Sequence, residues 1–279
     1  VCSLEEADLD PTRSVDSLRW ERGEKRVVRD PLVVEEPLEI RLNGSAVAVT
    51  MRTPGHDFNL AAGFLRTEGI LSRPDQVASI VHCADAEAES GEQNVVDVLT
   101  AADADLPAQG WQRQFYISSS CGICGRASLQ AVRQAAAPLA DPVRFDPAIL
   151  SGLPHRLREV QAVFQETGAL HAAALFTPQG ELTEIMEDIG RHNAVDKVVG
   201  AAFLEDRLPL KGCLLLVSGR LSFEIAQKAW MAGIPGIAGI SGASSLAVDL
   251  AREAGMLLVG FLRGSSMQIY AGAARLETS

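Results

Sequence analysis

Between Gly212 and Leu262 three short apolar runs alternate with two segments of helical period, and no other feature limits the fold as much. The runs are GCLLLVSG, IPGIAGIS and MLLVGFL, separated by SFEIAQKAWMAG and SSLAVDLAREAG. An unbroken apolar run of strand length predicts a strand covered on both faces. Strands alternating with helices at this spacing predict a parallel sheet with right-handed crossovers. A chain of 279 residues has room for one large domain or two modest ones.

The N-terminal half reads differently. In PLEIRLNGSAVAVTMRT, Asn43-Gly44 between two alternating runs predicts a tight hairpin. TPGHDFNLAAGFLRTEG predicts a short helix starting near Asp57, with Leu60, Phe64 and Leu65 on one face and Gly69 as its stop. Residues 1–30 are charged and without period, so a flexible arm or an edge segment is expected. The acidic stretch 84–110 is expected to be a surface hairpin without a catalytic part. QFYIS predicts a strand running into two cysteines, and RASLQAVRQAA a helix that Pro138 ends. Residues 139–158 carry three prolines and read as a connector. The expected organisation is an arm over 1–30, a part over 31–138 ending in the cysteine loop and its helix, and an α/β part over 139–279. The last two can form one continuous domain.

Formal net charge is −11. That argues against a nucleic-acid or membrane-surface binder, which needs excess basic charge. No apolar run spans a bilayer, the first residues are acidic and polar, and five cysteines fit poorly with a disulfide framework. A soluble protein of the cytoplasm is expected.

Ligands of open α/β sheets bind beyond the carboxyl ends of the strands. Three loops fit that place: Ser218-Gly219-Arg220, Ser241-Gly242-Ala243-Ser244-Ser245 and Arg263-Gly264-Ser265-Ser266. Small residues, two helix starts and the guanidiniums of Arg220 and Arg263 together suggest a phosphate or diphosphate site. Taken singly, each loop is explained as well by turns and helix caps. A second polar cluster, EIMEDIGRHNAVDKVVG, leads into a helix expected near Asn193. Arg191, His192 and Lys197 are its candidates for binding, against the plainer reading of a solvated helix start with internal ion pairs.

The stretch SSSCGICGR places Cys121 and Cys124 two residues apart on a strand-to-helix connection. A structural zinc site wants a second such pair, and none exists. A deaminase-type zinc site wants a glutamate where Ala173 stands after His171, and a proline where Ser120 precedes Cys121. Cys213 in an apolar strand is expected to be a small buried thiol. Thiolate chemistry remains for the pair. A helix N-terminus and the nearby Arg126 favour the thiolate, and Gly122 and Gly125 leave the sulfurs approachable. A redox pair and a sulfur carrier both use such a loop.

EEPLEIRLNG, TPGHDFNLAAGFLRTEGI, SSCGICG, TGALHAAAL, EDIGRHNAVDKVVG, SGRLSFEIAQKA, AGIPGIAGISGASSLAVDLA and GFLRGSSMQIYAG, spread over about residues 35–271, resemble the formate dehydrogenase accessory sulfurtransferases, the FdhD family. Two small departures, Ala169 in TGALH and Gly242 in GISGASS, bear on loop shape and not on the thiols. The resemblance implies a cytidine-deaminase-like α/β sandwich with parallel C-terminal strands, beside a smaller N-terminal β-rich part. It implies that sulfur from a cysteine desulfurase is held as a persulfide on Cys121, with Cys124 its partner. That sulfur would pass to a molybdenum or tungsten bis-pterin guanine dinucleotide before the cofactor enters formate dehydrogenase. Phe261, Leu262, Arg263, Gly264, Ser265 and Ser266 match the family's cofactor-binding stretch, to which the edge argument adds Arg220 and the polar cluster adds His192. A homodimer is implied as well. Two alternatives stay open: a cofactor-binding chaperone without sulfur transfer, and a deaminase-like zinc hydrolase.

Overall fold

The computed structural model describes residues 9–83, 93–107 and 137–277. The cysteine loop, the strand expected before it and the helix expected after it lie outside the described residues. From Thr12 the expected arm is an antiparallel ribbon of β1 (Thr12–Glu21) and β2 (Glu24–Val33). Most of its residues stay in water, Leu18, Trp20 and Val27 among them, which is why its sequence shows no apolar alternation.

A four-stranded sheet follows, in the order β4-β3-β6-β5. Its strands are β3 (Glu36–Leu42), β4 (Ser45–Arg52), β5 (Val77–His82) and β6 (Val95–Thr100). Asn43 and Gly44 both take positive φ, which is the turn this pair of residues favours. The run at 95–100 corrects the expected surface hairpin. β6 pairs with β5 but also runs parallel to β3, so it is an interior strand with Val95, Val96 and Val98 buried. Helix α1 (Asp57–Thr67) covers this sheet with Leu60, Phe64 and Leu65, and Gly69 in the left-handed region ends the turn after it.

The expected connector is in part a helix. Asp146 caps α2 (Pro147–Val160) by accepting from the Ala148 N–H, and Pro147 occupies the first turn, where no N–H is needed. Only Pro154 lies inside the helix. The short α3 (Ala162–Thr167) leads into a mixed sheet ordered β12-β11-β10-β9-β7-β8. Its strands are β7 (His171–Phe176), β8 (Leu182–Asp188), β9 (Leu214–Val217), β10 (Gly236–Gly239), β11 (Leu257–Arg263) and β12 (Ser266–Ala271). The middle trio β9, β10 and β11 is parallel, as the apolar runs predict; β7, β8 and β12 are antiparallel to their neighbours.

Helices α4 (Arg191–Leu204), α5 (Phe223–Met231) and α6 (Ser245–Ala254) cover one face of this sheet, and α2 with Phe145 covers the other. The fold class is therefore the expected α/β one, with a smaller N-terminal β-rich part. Helix α4 is buried on all sides because α1 packs on its outer face. That contact is backbone to backbone. A Cβ on Gly63 would fall on the carbonyl of Asp196, and one on Gly200 on the carbonyl of Asn59.

Buried ion pairs brace each half, and two lysines tie the halves to each other. Arg52 of β4 grips Asp57 at 2.9 Å, both fully buried, and reaches Glu36 at 3.1 Å. Lys197 of α4 meets Asp188 at 2.8 Å and donates to the carbonyl of Thr53. Lys228 of α5 meets Asp196 at 2.9 Å and Glu68 at 3.4 Å, and donates to Thr67 Oγ1. Lys197, a binding candidate in the sequence, is thus fully engaged in the joint.

Candidate functional site

The carboxyl ends of β9, β10 and β11 lie side by side, about 5 Å from strand to strand. The three loops expected to carry a ligand therefore share one edge. They are also stitched together: Leu221 N–H donates to the Gly242 carbonyl, Ser244 N–H to the Leu221 carbonyl and Phe261 N–H to the Ser241 carbonyl. Two other elements reach the same edge. Strand β8 ends there at Asp188 and passes through Gly190 into α4, so Arg191 and His192 occupy the first helical turn. Antiparallel β7 starts there, with His171 opposite Asp188.

Some of the small residues do what turns and caps need. Ser218 Oγ accepts from the Ala172 N–H, and Ser244 caps α6 by accepting from the Ala247 N–H. The third loop joins β11 to β12 as a hairpin turn, and Gly264 supplies its positive φ. The matched stretch splits accordingly. Leu262 is fully buried among the core residues behind the sheet, so its side chain does not face the edge. Phe261, Arg263, Gly264, Ser265 and Ser266 are exposed.

Phe261 holds φ at 49°, a left-handed conformation that costs a bulky residue on the order of 1–3 kcal/mol. Its ring lies against Gly242, where a Cβ would come within 2.9 Å of it, and it is 47% exposed. The guanidinium of Arg263 sits 5.8 Å from the ring centre and its Nε donates to the Ile240 carbonyl at 3.0 Å. An aromatic face, a cation and a backbone turn stand together at one strand end, which suits a flat anionic molecule.

Across the edge, His192 Nε2 is 3.2 Å from Ser222 Oγ and 3.8 Å from Glu224. Burial first, and then the charges of Arg191 and Lys228, push its pKa down to about 3 against the pull of Glu224. His192 is a neutral imidazole near pH 7 that hydrogen-bonds without carrying charge. A cavity of about 40 Å³ beside it is lined by Glu68, Asp196, Glu224 and Lys228. Arg191 has its Nε out of water and without a hydrogen-bond partner. Such a buried donor costs roughly 1–3 kcal/mol unless a ligand meets it. Among the described residues no carboxylate stands within ion-pair distance of Arg191, Arg220 or Arg263. In a chain with 36 acidic and 25 basic residues, that is an uncompensated cationic edge.

The structure thus brings Arg220, His192 and the Phe261–Ser266 stretch to one edge, while Cys121 and Cys124 lie outside the described residues. His171 is the edge residue that sequence reasoning did not select. It opens an ordinary apolar strand, and only the antiparallel pairing of β7 with β8 and β9 brings it there. Cys213 is half-buried just before β9 rather than within it, and burial pushes its thiol pKa up. Among the described residues no three His, Cys, Asp or Glu are grouped to hold a metal ion, and no helix is long and apolar enough to cross a membrane.

Residues 33–277 match the model of the FdhD/NarQ family. A Streptomyces avermitilis protein named sulfur carrier protein FdhD is 59% identical over 251 residues, 88% of this chain and 89% of its own. A Mycobacterium tuberculosis protein of the same name is 51% identical over 253 residues, 88% of this chain and 92% of its own. The crystal structure of a protein described as a formate dehydrogenase accessory protein, from Desulfotalea psychrophila, superposes with a TM-score of 0.75 at 23% identity. It covers 96% of this chain and 100% of its own, a likeness of fold.

Proposed function

This chain belongs to the FdhD/NarQ family, and from that premise we propose that it is a sulfur carrier in the maturation of formate dehydrogenase. The observation that carries the reading is the Cys121–Cys124 loop in a chain more than half identical, over nearly nine-tenths of its length, to proteins named sulfur carriers. The thiolate of Cys121 attacks the terminal sulfur of a persulfide on a cysteine desulfurase. The donor's thiolate leaves, and Cys121 holds the sulfur as a persulfide; one S–S bond breaks and one forms, with no net oxidation. Cys124, three positions on in the sequence, is its partner in this reading, relaying or resolving that sulfur.

The acceptor we propose is the molybdenum or tungsten bis-pterin guanine dinucleotide, bound as substrate at the sheet edge. The uncompensated cations there support an anionic ligand. Phe261 offers a stacking face, Arg263 and Arg220 offer charge, and the turn at Gly264-Ser265-Ser266 offers backbone and hydroxyl donors. The neutral His192 keeps a hydrogen-bonding group at the edge without adding a fourth positive charge. The chain works in the cytoplasm as a homodimer in this reading.

The test is intact-protein mass spectrometry after incubation with a cysteine desulfurase and cysteine. The wild type should gain the mass of one sulfur, lost on reduction and absent from Cys121→Ala. If the wild type gains nothing, sulfur carriage fails. If Cys121→Ala still matures formate dehydrogenase while Arg263→Ala does not, the protein is a cofactor-binding chaperone instead.

A further inference from the structure

The sheet edge holds a second group of cations, which shares only Arg220 with the proposed dinucleotide site. Gly219, just past the end of β9, stands between His171 and Arg191. A Cβ there would lie 3.4 Å from His171 Nδ1 and 3.8 Å from Arg191 Cβ. Arg220 is the next residue, close enough for its charge to act on both. The surrounding carboxylates are otherwise engaged. Asp188 accepts from the Gly190 and Thr53 N–H groups, from Asn193 and from Lys197. Glu187 accepts from the Val163 and Phe164 N–H groups. Glu224 faces His192 and reaches Arg191 only through space.

We propose that Arg191, Arg220 and His171, gathered around Gly219, form a seat for one phosphate-class oxyanion, two strands away from the Arg263 turn. The unpartnered Nε of Arg191 gives the oxyanion a fixed donor, and a guanidinium offers parallel N–H groups to two of its oxygens. Gly219 puts no side chain between His171 and Arg191, the two residues that a Cβ there would touch. The seat also has a signature. The groups that face His171 are Arg191 and His192 on α4, Arg220 after β9 and Asp188 at the end of β8; burial first, then Arg191 and, more weakly, Arg220 hold its pKa below the ordinary value against the pull of Asp188. An anion between the arginines cancels their push, so the ring takes up a proton as the anion binds. The seat does not depend on sulfur carriage.

Isothermal titration with inorganic pyrophosphate on the full chain tests it, run near pH 7 in two buffers of different ionisation enthalpy. Wild type should bind, and should take up more protons on binding than His171→Gln does, a difference in which the ligand's own ionisation cancels. Arg191→Gln should weaken binding at least tenfold. Gly219→Ala, whose added methyl meets its neighbours at ordinary contact distances, should weaken it similarly while keeping every charge. His171→Gln should remove that excess uptake and retain most of the affinity. Arg263→Gln should leave pyrophosphate binding within about threefold. No binding to the wild type, or binding lost in Arg263→Gln and unchanged in Arg191→Gln and Gly219→Ala, overturns the seat. Either result leaves the Cys121 mass gain untouched. Repeating the titration with a nucleoside diphosphate distinguishes the anion's source: tighter binding than pyrophosphate, sensitive to both Arg191→Gln and Arg263→Gln, assigns the seat to a nucleotide that spans the edge.

Discussion

Two sets of cations in this chain have opposite surroundings. Arg52, Lys197 and Lys228 sit in the joint between the two sheets, nearly or wholly out of water, each against at least one carboxylate. Arg191, Arg220 and Arg263 sit at the carboxyl edge of the larger sheet, with no carboxylate at ion-pair distance among the described residues. The first set is explained by folding alone: each charge is neutralised where it is buried, Arg52 by Asp57 at the start of α1, Lys197 by Asp188 at the end of β8, and Lys228 by Asp196 of α4 and by Glu68. The second set is not. Arg191 and Arg220 repel each other in the ligand-free protein, and a bound anion removes that repulsion.

The sharpest way to break the contrast is to remove a cation from the joint. Lys197→Met leaves Asp188 charged and fully buried, with only neutral donors around it. A buried ion left without its partner costs about 3–5 kcal/mol. Urea denaturation should show a loss of that size, and Lys197→Met with Asp188→Leu should recover a large share of it. A single-variant loss under about 1 kcal/mol would mean that the joint is wetter than its packing shows.

A smaller effect joins the two sets, because His192 lies between them. Its folded pKa of about 3 is below the ordinary histidine value near 6.5. As pH falls below about 6.5 the unfolded chain takes the proton first, so stability is full above that pH and is lost toward pH 3. At pH 5 the loss is about 2 kcal/mol. His192→Gln cannot bind that proton in either state. The stability of the wild type relative to His192→Gln should therefore fall by about 2 kcal/mol between pH 7.5 and pH 5. A difference that does not move with pH would place the ring in water.

What the sequence discloses follows from how local each cause is. The strands β9, β10 and β11 are legible because a run such as Leu214-Leu215-Leu216-Val217 has only one comfortable environment. The end of α6 is legible because Ser244 and Gly255 act on their own backbone. The interior place of β6 is not, since its parallel partner β3 lies more than fifty residues earlier. Pro147 reads as a breaker, yet at the first turn of a helix a missing N–H loses nothing. Lys197 reads like a ligand-binding lysine because its sequence neighbours are polar, while its partners Asp188 and Thr53 arrive through tertiary packing. Leu262 shares a motif with Phe261 and Arg263 and still points into the core, because alternate residues of a strand face opposite sides.

The least disruptive substitution tests the edge itself. Arg220 is exposed, has no carboxylate partner, and pushes down the pKa values of both Arg191 and His171. Removing it takes away repulsion and no folding contact. Arg220→Gln should therefore change stability by less than about 0.5 kcal/mol, the range for surface positions, and in the stabilising direction. Low salt should enlarge the gain and high salt should erase it, since screening acts on exposed charges. The comparison is differential denaturation of wild type and variant at two ionic strengths. A loss above about 1 kcal/mol, insensitive to salt, would show that Arg220 holds the fold as the joint cations do, and the distinction between the two sets would no longer stand.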